Sequence, residues 1–423
     1  MSSELARRKE AVRLYYYHHL TKSAIQRRLQ CSESWLNRWL SRYDPDDVEG
    51  SLSNRRAGPR EGHSSWSAAI RQQVLAMRQA RSAGELGPYA LIGAAAIHYE
   101  LRALQSTEVP PIRTIHRWLV QADLVNSAPL NSDQRESKVI PLPSAQRVNS
   151  IQQLDLKGPL YLRNSSHKYY LVSLRDCYSR RCAIDALLNR QAQGIVDFLV
   201  ASWQWLGLPE YLQLDNALEF RGSNRYPRSF GRVVRVALDL DIEPLFNPPY
   251  EPWRNGGVEH HNRFLEERLL AIECPDFAAL RREAQACQKA CNQTHRLTVL
   301  DGYTPNEVAR TEPLRLLARD YQRHQAAHLP QDHGWISFVR LVRKSGRITL
   351  GAHDRFMVDP DLAYTYVLAR VDMTNRRVTI SQEDTVLKTY DFSPETVGQW
   401  AADKSNDDVK VQEPFAISGT SEH

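Results

Sequence analysis

Three acidic residues stand where a chain can deliver a carboxylate with little freedom. Asp155 lies inside the strand-like run Ile151-Gln-Gln-Leu-Asp-Leu156. Asp215 closes the apolar run Tyr211-Leu-Gln-Leu214 at what reads as a strand exit. Glu259 falls in the first turn of a helical pattern that begins near Val258, after a loop rich in Pro and Gly from Asn247 to Gly257. Oxygen donors delivered from three separate elements suit a hard divalent cation. Two such ions, about 4 Å apart, can activate an attacking oxygen and stabilise a leaving one at a phosphodiester. With 49 acidic residues in the chain, a triplet alone carries little weight, so the flanking residues must supply the specificity.

Those flanks carry a resemblance. Asn149-Ser-Ile-Gln-Gln-Leu-Asp155, Leu214-Asp-Asn-Ala-Leu-Glu-Phe220 and Pro249-Tyr-Glu-Pro-Trp-Arg-Asn-Gly-Gly-Val-Glu259 resemble the three signature blocks of the integrase-core (DDE) transposases, bacterial insertion-sequence enzymes related to retroviral integrases. The resemblance implies an RNase-H-like core in which Asp155, Asp215 and Glu259 are the catalytic, metal-holding acids. It also implies two Mg²⁺ ions, for which Mn²⁺ can substitute, with Asp155 bridging both and the other two acids holding one each. The implied reaction is 3′-end cleavage at the inverted repeats of a mobile element, followed by strand transfer into target DNA. Double-stranded DNA is then the partner, a homo-oligomer on DNA the working form, and the bacterial cytoplasm and nucleoid the location; an accessory ATPase stays unknown. Glu259 lies 44 positions after Asp215, whereas the shorter family spacing favours Glu251. Glu251 stands between Tyr250 and Pro252, where a helix cannot form, and residues 221–230 read as an insertion, so Glu259 is preferred.

Three positions depart from the family pattern: Gln152 stands where relatives have tryptophan, Ala217 where they have glycine, and His260 where they have arginine. They keep open an alternative, a catalytically inactive, domesticated DNA-binding regulator. Asp176, with Ser179 and Arg180, matches a further block and reads as a turn former. Asn262 and Arg263, just beyond Glu259, are candidate contacts to DNA phosphates. His260 and His261 read as surface positions. Glu219 reads as a helix-start carboxylate.

The elements around the acids suggest a multidomain chain. Residues 1–43 give three short helical patterns, with Thr21 and Ser32 or Ser34 as caps, in a helix-turn-helix arrangement. They hold nine Lys and Arg against three Asp and Glu. Ser34, Asn37, Arg38 and Arg42 form the polar side of its second reading helix, where an amide and a guanidinium can pair with adenine and guanine. A plain three-helix bundle with a solvated basic face is the competing interpretation. Residues 44–65 read as a linker. Residues 66–125 read as a second helix-turn-helix, with Arg113, Thr114 and Arg117 outward and Ile115, Trp118 and Leu119 inward. Residues 126–148 read as a second linker, and 149–312 as the α/β core. Residues 313–332 read as a connecting helix, 333–392 as a small β-barrel with a basic first hairpin (Arg340, Arg343, Lys344 and Arg347), and 393–423 as a disordered tail.

The totals exclude other classes. A chain of 423 residues allows about three domains. No apolar run approaches a membrane span, and the amino end is too polar for a signal peptide. Six scattered cysteines without a CxxC pair argue against a disulfide framework and a zinc ribbon. Cys287, Cys291 and His295 fall at helical spacing and read as buried groups rather than a metal site.

Overall fold

The computed structural model describes residues 4–54, 66–125, 140–162, 166–222, 228–249, 261–321, 329–351 and 354–393. The chain divides into two compact units, residues 1–67 and 68–423. In the first unit, α1 (Glu4–Val12, prolonged by a π-helical turn Arg13–Tyr17), α2 (Lys22–Leu29) and α3 (Glu33–Leu40) enclose Leu14, Ile25, Leu36 and Trp39. Thr21 caps α2 by accepting from Ala24 N, and Ser32 caps α3 by accepting from Trp35 N, which settles the cap between Ser32 and Ser34. The presumed linker from residue 44 is shorter than expected. A fourth helix, α4 (Val48–Leu52), capped by Asp47, sinks Leu52 into this core, and its Leu52 carbonyl accepts from buried Arg8.

The second unit begins with α5 (Ala68–Ser82), α6 (Ala94–Ala103) and α7 (Ile112–Gln121), the second helical module expected from sequence. It is not a free-standing domain. Tyr89, between α5 and α6, packs among Leu265, Leu280 and Cys287, donates to Glu283 at 2.6 Å, and offers its carbonyl to His295 at 2.7 Å. The following segment, expected as a tether, is docked over its described end: Ile140 and Leu142 pack against Leu245, Val339 and Tyr366.

The core is a mixed sheet. β1 (Ile151–Tyr161), β2 (Lys168–Asp176) and β3 (Cys182–Leu187) form an antiparallel meander, while β4 (Tyr211–Leu214) and β5 (Glu243–Phe246) add in parallel on the other side of β1. The crossover helices α8 (Ala192–Leu206) and α10 (Arg232–Asp239) supply Ile195, Leu199, Trp203, Val233 and Val236, all fully buried, to the face of this sheet. Each such side chain stabilises the fold by about 1.5–3 kcal/mol before entropy is counted. The sheet edge at β3 is sealed by side chains of the helix Phe277–Gln293. Asn292 accepts from Cys182 N and donates to Cys182 O, Gln288 accepts from Ile184 N, and Arg281 grips Asp185 with two hydrogen bonds.

The expectation of a separate C-terminal barrel is corrected. β6 (Trp335–Leu341) pairs in parallel with β5, and β9 (Tyr366–Asp372), β10 (Arg377–Gln382) and β11 (Thr385–Asp391) continue from it as antiparallel neighbours. The result is one nine-stranded sheet, ordered β11-β10-β9-β6-β5-β4-β1-β2-β3. β7 (Arg347–Leu350) and β8 (Asp354–Met357) form a hairpin whose Ile348, Leu350 and Phe356 enter the same core as α8 and α10. Phe338 of β6 stacks on Phe246 of β5 with ring centroids 5.0 Å apart, so the core does not end at residue 312. The connecting helix is also corrected. Residues 313–318 form an extended strap held by Leu208 N to Arg315 O (2.7 Å) and Leu317 N to Trp203 O (3.1 Å), and a turn follows at 319–320. Pro313 and these outward bonds leave no intrahelical ladder there. Residues 322–328 and the expected tail from 394 lie outside the described residues.

A chain ended at residue 330 is expected to aggregate on expression, because β5 loses its neighbour and Phe246 its stacking partner. Recovery of a soluble, cooperatively melting product would show the C-terminal strands to be an independent module after all.

Candidate active site

Strand register brings the first two acids together. In the parallel β1/β4 pair, Ile151 lies opposite Tyr211, Gln152 opposite Leu212 and Gln153 opposite Gln213. Continued two residues past the last paired position, the same alignment carries Asp155 and Asp215 to neighbouring places, close enough for the Asp155 charge to raise the pKa of Asp215. Leu154 and Leu214, between them, point into the hydrophobic core. Because side chains alternate, Gln153 and Gln213 share the acids' face of the sheet. They form a short amide ladder: Gln153 Nε2 donates to Gln213 Oε1, and Gln213 Nε2 to Asn247 Oδ1, both at 2.7 Å. This ladder ties β1, β4 and the exit of β5 directly below the carboxylates.

The chain comes back to Asp155 from a distant segment. Residues 261–269 are helical, and Asn262 Nδ2 donates to Asp155 Oδ2 at 3.0 Å. Four residues on, Glu266 forms an ion pair with Lys157, which is two residues after Asp155 on β1. Spacings of four on a helix and two on a strand each keep one face, so this helix runs along β1 beside the first acid. Asn262 therefore serves Asp155 rather than standing free for a phosphate, while Arg263 is exposed. Glu259, Glu251 and His260 lie outside the described residues. Among the described residues, no group of three His, Cys, Asp or Glu side chains is arranged to hold a metal.

Both aspartates are held above the ordinary carboxylate range. For Asp155 the main cause is burial, opposed by the Asn262 hydrogen bond and by Lys157. For Asp215 it is again the surrounding protein, opposed by the Ala217 N–H (2.7 Å to Oδ1) and reinforced by Asp155 and Glu219. Two crowded carboxylates short of positive charge are a donor set that suits a divalent cation.

The departures from the family pattern are accommodated locally. Gln152, 0% exposed, donates to Asn149 Oδ1 and Gly207 O and accepts from the Trp203 indole N–H, so its amide is fully used. Ala217, at φ −59°, needs no glycine-like backbone and caps the short helix α9 (Leu218–Arg221). Asp176 is the turn former expected: it accepts from Asn149 N, Ser179 N and Ser179 Oγ. Glu219 in the first turn of α9 pairs with Arg190 at 2.9 Å. His261 is buried, contrary to the surface position expected. Cys287 and Cys291 are buried and His295 is held neutral, its pKa lowered to about 4 by burial.

The candidate DNA contacts divide. On α3, Ser34 and Arg38 are exposed and Asn37 is half-buried. Arg42 is committed elsewhere: it and Arg8 lie over the Trp39 ring, 4.5 and 3.8 Å from its centroid, and Arg42 donates to Ser53 O at 3.1 Å. On α7, Arg113 and Arg117 are exposed and Thr114 is half-buried, while Ile115, Trp118 and Leu119 face inward as expected. Sequence reasoning missed Lys157 and the glutamine ladder; their even spacing from Asp155 and Asp215 was the available signal.

Residues 2–52 match the homeodomain-like domain family HTH_23. Solved structures similar to the chain include the catalytic core domain of HTLV-2 integrase in complex with magnesium, in its trimeric form (18% identity, TM-score 0.32, 39% of this chain and 99% of that one). Another is the catalytic core domain of BIV integrase (19% identity, TM-score 0.30, 38% and 95%). A third is the simian T-cell lymphotropic virus intasome in complex with the PP2A regulatory subunit B56 gamma (15% identity, TM-score 0.34, 69% and 90%). No curated protein matches the sequence. No helix among the described residues is long and apolar enough to cross a membrane.

The raised carboxyls carry a pH signature. Each aspartate binds its proton more tightly folded than unfolded, so each weakens the fold at neutral pH, and that penalty is relieved as pH falls through the folded pKa. Asp155→Asn is expected to melt higher than wild type at pH 7, by about 1 °C for every kcal/mol relieved in a unit of this size. The difference should vanish near pH 3. Melting curves between pH 3 and 8 test this, and a variant that melts lower than wild type at pH 7 would refute it.

Proposed function

We propose that the chain is an integrase-core (DDE) transposase that binds the ends of a mobile element and carries out metal-dependent 3′-end cleavage and strand transfer. The observation that carries this reading is the β1/β4 register that sets Asp155 beside Asp215, with Asn262 returning to Asp155. The three sequence blocks support it, as does the homeodomain-like match at residues 2–52. Of the two candidates for third acid we take Glu259. The preference rests on the sequence: Glu251 stands between Tyr250 and Pro252, where a helix cannot form, and residues 221–230 read as an insertion that lengthens the spacing to Glu259.

Mg²⁺, when bound, would supply the Lewis acidity that lowers the pKa of an attacking oxygen and neutralises charge on the phosphate. Asp155, Asp215 and Glu259 would hold two such ions. Asn262 orients the Asp155 carboxylate, and Lys157 tempers its charge. Hydrolysis of one phosphodiester frees a 3′-hydroxyl at the element end. That hydroxyl then attacks a target phosphodiester, displacing a 3′-oxygen without any covalent protein intermediate. Recognition falls to Ser34, Asn37 and Arg38 on α3 and to Arg113, Thr114 and Arg117 on α7, with Arg263 on a phosphate. Acting on two ends implies more than one copy of the chain on DNA.

Strand transfer on DNA carrying the gene's flanking ends should require Mg²⁺, vanish in Glu259→Gln and survive in Glu251→Gln, as read from joined products on a gel. Tight binding by wild type with neither nicks nor joints would replace this reading by the DNA-binding regulator. On the recognition helix, Arg38→Ala should weaken binding to the preferred site by about 1–3 kcal/mol in a titration, with melting unchanged. Arg42→Ala should lower the melting temperature instead, since it uncovers Trp39.

A further inference from the structure

Arg340 sits in β6, in the segment that reads in sequence as a basic first hairpin, yet it is only 4% exposed. Among the described residues its hydrogen-bond acceptors are all uncharged. Nε donates to Thr349 O at 3.0 Å, Nη1 to Val339 O at 2.8 Å and to Asn247 O at 3.2 Å, and Nη2 to Asn216 Oδ1 at 2.9 Å. Asn216 in turn donates to Asn247 O at 2.6 Å. Asn216 directly follows Asp215, and Asn247 closes β5 and opens the loop toward Glu259. One guanidinium therefore spans the exits of two core strands and the hairpin beyond them.

Burying a cation without a carboxylate costs several kcal/mol even after relaxation. The guanidinium is indeed held below the usual arginine range by that burial and by Arg221 nearby. Filling the same space with an aliphatic side chain would avoid the cost, so packing alone gives no reason for an arginine. A planar fork of five donors can reach three strands at once, whereas an ammonium donates from a single point.

We infer that Arg340 is a positioning residue for the proposed active site, clamping the Asp215-Asn216 turn to the exit of β5. The inference rests on the phosphoryl-transfer reading above for its catalytic consequence, and on the hydrogen bonds alone for its structural one. Arg340 touches neither Asp155 nor Asp215; it acts through Asn216 and Asn247. A displacement of about 1 Å at a metal-holding carboxylate can slow a reaction by about 100-fold.

The test compares full-length wild type, Arg340→Lys and Ile336→Ala. Ile336 is a fully buried apolar residue of β6, four positions before Arg340, and its truncation reports loss of packing without loss of a hydrogen bond to the strand exits. Three quantities are read: melting temperature, amide exchange at Ala217 and Asn247, and Mg²⁺-dependent strand transfer. Ala217 N–H is bound to Asp215 Oδ1 and Asn247 N–H to Leu214 O, so both amides report on the clamp. Arg340→Lys is expected to speed exchange at both amides and to slow strand transfer by about 100-fold, while melting no lower than Ile336→Ala. Ile336→Ala is expected to keep wild-type exchange at those amides and wild-type turnover per folded molecule. If Arg340→Lys matches Ile336→Ala in exchange and turnover, the positioning role is overturned. If wild type itself joins no DNA, the proposed function fails, and the exchange comparison still decides whether Arg340 holds the turn.

Discussion

The parallel register of β1 on β4 is the constraint on which the rest depends. A slip of one residue would turn Asp215 into the core and Leu214 out to solvent, because side chains alternate along a strand. The buried leucines at 154 and 214 therefore hold the carboxylates in place as firmly as any polar contact does. α8 and α10 cover that face and make the register the low-energy one. α10 joins the parallel neighbours β4 and β5 over a face of the sheet, and α8 carries the chain from the β3 edge back to β4 beside β1.

Beneath the acids, the polar groups are mainly amides. Gln153, Gln213, Asn216 and Asn247 link strand to strand, and Gln152 joins Asn149 to Trp203 on the opposite face. Uncharged donors and acceptors can be satisfied in the interior at far lower cost than ions. They also leave the carboxylates as the dominant negative charge at the strand ends. Both aspartates are held with raised pKa values despite the Asn262 and Ala217 hydrogen bonds, a local cost to stability.

Much of this was legible in the sequence, and what was not has definite physical reasons. Asp215 could be placed because an apolar run that ends in an acid marks a strand exit, and Asp155 because it sits within a strand-like run. The helical modules could be placed because Ile115, Trp118 and Leu119 repeat at helical spacing. The C-terminal strands were misplaced because alternation is the same in a closed barrel as in a sheet extension; only the β5/β6 pairing separates the two, and pairing is nonlocal. The strap at 313–318 has a helix-compatible composition, but its hydrogen bonds go to Trp203 and Leu208, which no local pattern reveals. Arg340 carries a surface-type side chain whose burial follows from Asn216 and Asn247, neighbours far away in sequence.

The sealing of β3 has a consequence for crowding. A sheet edge with free N–H and C=O groups is a template on which another chain can add a strand, and the hazard grows as copies gather at high local density. Here Asn292 occupies the N–H and C=O of Cys182, and Gln288 the N–H of Ile184, so those positions of the edge are closed to a further strand. A strand approaching at Cys182 or Ile184 would first have to displace those side chains.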